Sequence, residues 1–237
     1  MSNLSLLAGL AVFFLLGAAI ASLVWRRRLG HLVELRTREL NAVRVELEMG
    51  NAQLKQLTIV DALTGIANRR AFDQALAREV RRARRDRHQL SLILCDIDGF
   101  KAYNDRYGHA RGDETLRTVA RIVALTFRRA GDLAARYGGE EFAVILPGET
   151  APQALLYAER LRRNVWRQAI EHERAPVGSR ISLSVGVASL EWTAHATAEN
   201  LLQAADEALY RAKSEGRNRV ALPARKTDAG PGLERAS

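Results

Sequence analysis

The string Arg136-Tyr137-Gly138-Gly139-Glu140-Glu141-Phe142, followed by the apolar run Ala143-Val144-Ile145-Leu146, constrains this chain more than any other stretch. Adjacent glycines between two strand-like segments are a device for reversing the chain, because they take φ > 0 without a Cβ clash. Two neighbouring carboxylates at or just past the tip are not what packing asks for, since like charges side by side repel. A bound cation would remove that repulsion and use the carboxylates as hard oxygen ligands. The glycines would also let a phosphate chain approach the backbone closely. Taken alone, the string fits either a solvated acidic hairpin or a nucleotide–metal turn.

Around that turn, 237 residues with 47% hydrophobic content and a net charge of +9 predict one membrane element plus about one domain. A lone cysteine, Cys95, excludes an internal disulfide framework and fits a reducing compartment. The basic excess suits phosphate-bearing or membrane-surface partners. A nucleic-acid-binding protein would explain only that charge. It leaves the acidic turn without a purpose and supplies no groove-reading element, so no nucleic-acid partner is expected. No Gly-x4-Gly-Lys-Ser/Thr string is present, which excludes a P-loop GTPase.

Residues 4–25 form a nearly continuous apolar run, long enough at about 1.5 Å per residue to span a hydrocarbon core of roughly 30 Å. Arg26, Arg27 and Arg28 follow it directly, so the positive-inside rule predicts a single-pass inner-membrane anchor over residues 1–28 with the rest of the chain in the cytoplasm. Ala19-Ile20-Ala21 would serve as a cleavage site, but no basic segment precedes the run, which favours an uncleaved anchor. With so few residues ahead of it, no extracytoplasmic sensor domain is expected. Residues 29–60 read as a proline-free helical linker. Val33, Leu40, Leu47 and Leu54 fall seven apart, with Arg36, Val43, Gly50 and Leu57 at the other seam position. That spacing predicts a coiled coil, with a parallel dimer as its partner state. A single amphipathic stalk is the alternative.

Beyond residue 60 the pattern is that of a mixed α/β domain. Asn68 is placed to cap a helix to about Asp86 with Phe72, Leu76 and Val80 inward. The apolar residues 90–97 read as a buried central strand ending in Asp96 and Asp98, which period-2 alternation puts on one side as a place for a divalent metal. Asp98 reads equally well as the cap of the next helix. Lys101, Asn104, Asp105, Gly108, His109, Gly112 and Asp113 follow in a short helix and a glycine-flanked loop. An amide plus a carboxylate from this group can match guanine's O6 acceptor and its N1 and N2 donors, although each alone is as readily a cap or turn residue. Further helices are expected over residues 114–129, 152–170 (Leu155, Ala158, Leu161 and Val165 inward) and 198–214 (Leu201, Ala205, Ala208 and Leu209 inward). Strands are expected over residues 132–137, over 181–188 with a close approach at Gly186, and over 219–222 at an edge. Residues 223–237 have the composition of a disordered tail.

Assembled, residues 61–222 resemble the GGDEF family, the diguanylate cyclases. The resemblance rests on Asp61-Ala62-Leu63-Thr64-Gly65 with Asn68-Arg69-Arg70, on Asp96-Ile97-Asp98-Gly99-Phe100-Lys101, and on Asn104-Asp105, Gly108-His109 and Gly112-Asp113. Gly138-Gly139-Glu140-Glu141-Phe142, Ser184-Val185-Gly186-Val187-Ala188, Ala205-Asp206 to Lys213 and Gly216-Arg217-Asn218 complete it. It implies a ferredoxin-like βαββαβ core of the polymerase-palm type and condensation of two GTP to cyclic di-GMP with release of two pyrophosphates. It further implies that Asp96, the Ile97 carbonyl and Glu140, with Glu141 a further ligand, hold Mg²⁺ or Mn²⁺, and that Glu140 is the base for the 3′-hydroxyl. Asn104 and Asp113 would read guanine, and His109 would line the pocket. Lys101, Lys213 and Arg217, with backbone near Gly99, Phe100, Gly138 and Gly139, would hold the GTP phosphates. Arg129-Ala130-Gly131-Asp132 matches the family's RxxD product-inhibition site, with cyclic di-GMP as feedback inhibitor. One domain holds one GTP, so a homodimer is implied. The alternative is a catalytically inactive GGDEF module that acts as a cyclic di-GMP receptor or interaction domain; no departure from the quoted motifs favours it.

Overall fold

The computed structural model describes residues 58–190 and 197–224, with scattered positions between 17 and 46. The chain divides into two compact units, Met1–Thr58 and Ile59–Ser237. In the first unit the described positions between 17 and 46 are helical, and Leu40 and Val43 of the heptad seam are exposed. Val33, Leu47, Gly50, Leu54 and Leu57 lie outside the described residues, as does nearly all of the 4–25 run. The inner-membrane localisation expected from that run is corrected: no helix among the described residues is long and apolar enough to cross a membrane. A span needs about 20 consecutive apolar residues, and the longest described helices are 18 residues long and amphipathic.

The second unit is a mixed α/β domain with strands β1 (Ala67–Asn68), β2 (Leu90–Ile97), β3 (Leu133–Arg136), β4 (Glu141–Pro147), β5 (Leu183–Ser189) and β6 (Val220–Ala221). Its helices are α1 (Arg69–Asp86), α2 (Phe100–Tyr107), α3 (His109–Thr126), α4 (Ala151–Arg167) and α5 (Ala198–Ser214). The six strands form one sheet in the order β1-β3-β4-β2-β5-β6. Its four central strands, β3, β4, β2 and β5, pair antiparallel with one another, and with the intervening helices they run βαββαβ.

β2 is buried along its whole length, and apolar but for Ser91 and Asp96, because both faces of the sheet are covered. Ile93, Cys95 and Ile97 point into one core with Phe100, Tyr103, Leu116, Val119, Leu161 and Val165 of α2, α3 and α4. Leu90, Leu92 and Leu94 point into the other, with Phe72, Leu76 and Val80 of α1 and Leu201, Ala205 and Leu209 of α5. Asn68 caps α1 as expected, its Oδ1 accepting from the Ala71 N–H at 3.0 Å. Gly186 is a true close approach: a Cβ there would lie 2.2 Å from the Ala205 carbonyl and 2.3 Å from the Leu209 nitrogen, so α5 rests directly on β5.

Two expectations need correction. α3 begins at His109, not at 114, so residues 109–113 are helical rather than a loop. Gly112 enters this helix because a Cβ at that position would collide with the Asn104 Oδ1 atom, so the missing side chain is a packing device and not a helix stop. In α4 the inward position belongs to Ala154; Leu155 is only half-buried.

Candidate active site

The functional side chains gather where β2 ends. Asp96 stands in register opposite Glu141 of β4 on one side and Ser184 of β5 on the other. The Ile97 N–H donates to the Glu140 carbonyl at 3.3 Å. Cross-strand partners share a face, with Cβ atoms about 4.5–5.5 Å apart, so Asp96 and the acidic turn are neighbours by construction. Lys213, from the last turn of α5, places its Nζ 2.8 Å from Asp96 Oδ2. Burial pushes the Asp96 carboxyl up to about 6; Lys213 opposes this, and the charges of Glu140 and Glu141 add to it. Among the described residues no three His, Cys, Asp or Glu side chains are already gathered as a metal cage.

The glycines of the turn serve a different purpose from the one the sequence suggests. Neither Gly138 nor Gly139 takes a positive φ. Gly138 makes room for a neighbour, since a Cβ on it would lie 2.3 Å from Glu141 Oε2 and the carboxylate would have to swing away. The Gly139 carbonyl is gripped by Arg136, which donates from Nε at 3.1 Å and from NH2 at 2.7 Å. The NH1 of the same guanidinium reaches both oxygens of Asp61 at 3.2 and 3.3 Å. Asp61 also accepts from the N–H and hydroxyl of Thr64 at 2.9 and 2.6 Å. Burial raises its carboxyl, but the bonds from Thr64 and Arg136 outweigh burial and leave it below the ordinary value. The Asp61–Gly65 segment is therefore a fastening for the acidic turn. Nothing in the local sequence pairs Asp61 with Arg136, 75 positions away.

Asp98 is neither a partner of Asp96 nor a helix cap. It is 2% exposed and accepts from Ser184 Oγ at 2.6 Å, Ser182 Oγ at 2.6 Å and the Asn218 N–H at 3.1 Å. The cap position of α2 belongs to Gly99, whose φ of 70° and lack of a side chain leave the first N–H groups of α2 open. Such a helix start favours phosphate oxygens. Lys101 is exposed in this first turn. Behind it, His172 is fully buried with Nε2 3.2 Å from the Gly99 carbonyl, and a Cβ on Gly99 would meet Pro176 at 2.8 Å. His172 is a support that sequence reasoning missed.

Asn104 lies in α2 and Asp113 in the first turns of α3, two helices joined through Gly108. Asn104 Oδ1 is buried without a hydrogen-bond partner. His109, the first residue of α3, is exposed. Farther along the sheet, the Asp132 carboxylate accepts from the Arg129 N–H at 3.2 Å, and burial raises its pKa. The exposed Arg129 guanidinium pairs with the buried Glu149. Arg217 is exposed in the turn after α5, with a φ of 61°.

The family model described as "Diguanylate cyclase, GGDEF domain" matches residues 58–219. Diguanylate cyclase A of Treponema denticola is 37% identical over 179 residues, covering 74% of this chain and 47% of that protein. The chain matches only part of its curated relatives, between 35% and 55% of the length of the first three. Among solved structures, the GGDEF domain of DgcB from Caulobacter crescentus in complex with c-di-GMP is 36% identical with a TM-score of 0.63, covering 69% of this chain and 92% of that one. The coiled coil and GGDEF domain of the same DgcB, again with c-di-GMP, is 32% identical with a TM-score of 0.63 and covers 80% of this chain and 98% of that one. With a family match across its described domain and the acidic turn, strand-end aspartate and lysine drawn together as above, this chain belongs to the GGDEF family of diguanylate cyclases.

Proposed function

We propose that residues 61–222 form a diguanylate cyclase that condenses two GTP into cyclic di-GMP and releases two pyrophosphates. The observation that carries this reading is the convergence of Asp96, Lys213 and the Glu140–Glu141 turn at the end of β2. Each 3′-hydroxyl attacks the α-phosphate of the facing GTP, forming a phosphodiester as the bond to pyrophosphate breaks. Glu140, at the hairpin tip, accepts the hydroxyl proton. Asn104 and Asp113 read the base, and the unpartnered Asn104 Oδ1 supports this role because it is an acceptor with nothing in the free chain to fill it. Lys101, Lys213, Arg217 and the open first turn of α2 hold the β- and γ-phosphates, with His109 and the glycine turn bordering the nucleotide.

Asp96, the Ile97 carbonyl, Glu140 and Glu141 would hold Mg²⁺ or Mn²⁺. The set fits such an ion, being all hard oxygen with mutually repelling carboxylates. A metal bound there supplies positive charge against the charge that develops on the α-phosphate.

One guanine-reading pair per chain requires two copies face to face, and a coil over residues 29–60 would raise the local concentration of the second. A coiled coil beside a GGDEF domain in the DgcB structure supports a coil at this position. Arg129 and Asp132 are assigned to feedback inhibition by cyclic di-GMP. The test is product formation from GTP and Mg²⁺ by the full chain over a range of protein concentrations. Output that rises more steeply than linearly with protein is expected. No product at any concentration, with cyclic di-GMP still bound, would make the chain a receptor instead.

A further inference from the structure

Asp98 has the composition of a metal ligand and the bonding of something else. Both of its oxygens are occupied: Oδ1 by the Ser184 hydroxyl, and Oδ2 by the Ser182 hydroxyl and the Asn218 N–H. Its own N–H donates to the Ser182 carbonyl at 3.0 Å. Turning this carboxylate towards a cation would strip a partly buried backbone N–H and two buried hydroxyls of their acceptor. The bond to Asn218 is the one with consequence. Arg217 and Asn218 both hold positive φ, at 61° and 46°. Residues other than glycine rarely keep that conformation unless their surroundings over-determine it.

Here the surroundings do so from several sides. The Arg217 N–H donates to the Ala212 carbonyl at 2.9 Å, and the Arg219 carbonyl accepts from the Val185 N–H at 2.9 Å. The Asn218 side chain accepts from Arg162 NH1 at 2.7 Å. Arg162 is itself held by Glu159 at 2.7 and 2.8 Å. Pairing with Arg162 and then Arg163 in turn depresses the Glu159 carboxyl to about 2. Asp98 and Arg162 thus grip Asn218 from opposite ends, one by its backbone and one by its side chain.

We propose that Asp98 is a positioning residue for nucleotide phosphate binding: it fixes the strained Arg217–Asn218 turn from which Arg217 reaches the β- and γ-phosphates, with Arg162 as its counterpart on α4. This rests on the reading of Arg217 as a phosphate ligand. A carboxylate suits the position because it only accepts; an asparagine would bring an NH₂ group against at least one of the three donors.

The test is a double-mutant cycle in the full chain, read as KM and kcat for GTP and, independently of turnover, as GTP affinity at equilibrium with Ca²⁺. Asp98→Asn should raise KM and weaken GTP binding about tenfold while kcat at saturating GTP stays within about threefold. Arg217→Ala should weaken binding similarly, and adding Asp98→Asn to it should weaken binding no further. Effects that multiply would overturn the proposal, as would a fall in kcat with a shifted Mg²⁺ requirement, which is the signature of a metal ligand. Should Asp98→Asn fail to fold, Arg162→Met should give a smaller loss of the same kind that also vanishes in the Arg217→Ala background. Unaltered GTP affinity in Arg217→Ala would remove the phosphate assignment on which the proposal stands. A chain that binds GTP yet forms no product fails the cyclase reading alone, and the affinity cycle still decides this one.

Discussion

The two halves of the site are built in opposite ways. At the end of β2 and around the acidic turn, the polar groups are bonded to one another: Lys213 to Asp96, Arg136 to Asp61 and Gly139, and the two serines to Asp98. Between α2 and α3 the reverse holds, for Asn104 Oδ1 is buried with no partner. The first region is rigid before any ligand arrives, as electrostatic stabilisation of a transition state requires. The second keeps a buried acceptor for which the chain itself makes no bond. On the proposed reading, a reaction centre bonded within itself beside a recognition pocket with an unfilled acceptor separates the roles of rate and selectivity.

The sharpest way to break that comparison is at Glu140. Glu140→Ala should cost about 3–4 kcal/mol in transition-state stabilisation, on the order of 10²–10³ or more in cyclase rate. The circular dichroism spectrum and melting temperature should stay near those of the parent, because Glu140 is partly exposed at a hairpin tip. Retained activity would remove it from the chemistry. Asn104→Ala should raise KM for GTP about tenfold and narrow the preference for GTP over ATP, with no loss of thermal stability, because it deletes a buried acceptor that lacks a bond. A clear fall in melting temperature would instead make Asn104 a structural residue.

The smallest effect is the pH dependence of stability contributed by Asp96. Its folded-state pKa of about 6 lies above the ordinary carboxylate value of 3.8. The folded state therefore holds the proton more tightly. The stability from this group is fully present below about pH 4 and is lost as pH rises to about 6. The metal-free chain should show this loss, and Asp96→Asn should remove it. The same slope in both proteins would place the titration elsewhere.

These contrasts also explain what the sequence makes legible. β2 and the stripes of α1 and α5 follow from periodicity, because burying an apolar face is a local pattern with a long-range reward. Asp96, Lys101, Asn104 and Glu140 stand out as charged or amide groups where packing has no use for them. What stays hidden depends on contacts across the chain. Arg136 meets Asp61 across 75 positions, and Asp98 meets Asn218 across 120. Gly112 looks like a break until Asn104 is seen to occupy the space of its missing side chain. Gly138 looks like a conformational hinge until the Glu141 carboxylate is found lying against it.

The sheet ends on both sides in strands of only two residues, β1 and β6, each paired parallel to its inner neighbour. Long unpaired strands invite other chains to add on to them. A domain proposed to work face to face with its twin must meet copies of itself constantly, and rims this short give those copies almost no backbone to zip onto. Encounters are left to be sorted by side-chain surfaces, so edge-to-edge joining of sheets offers little competition to the proposed pairing.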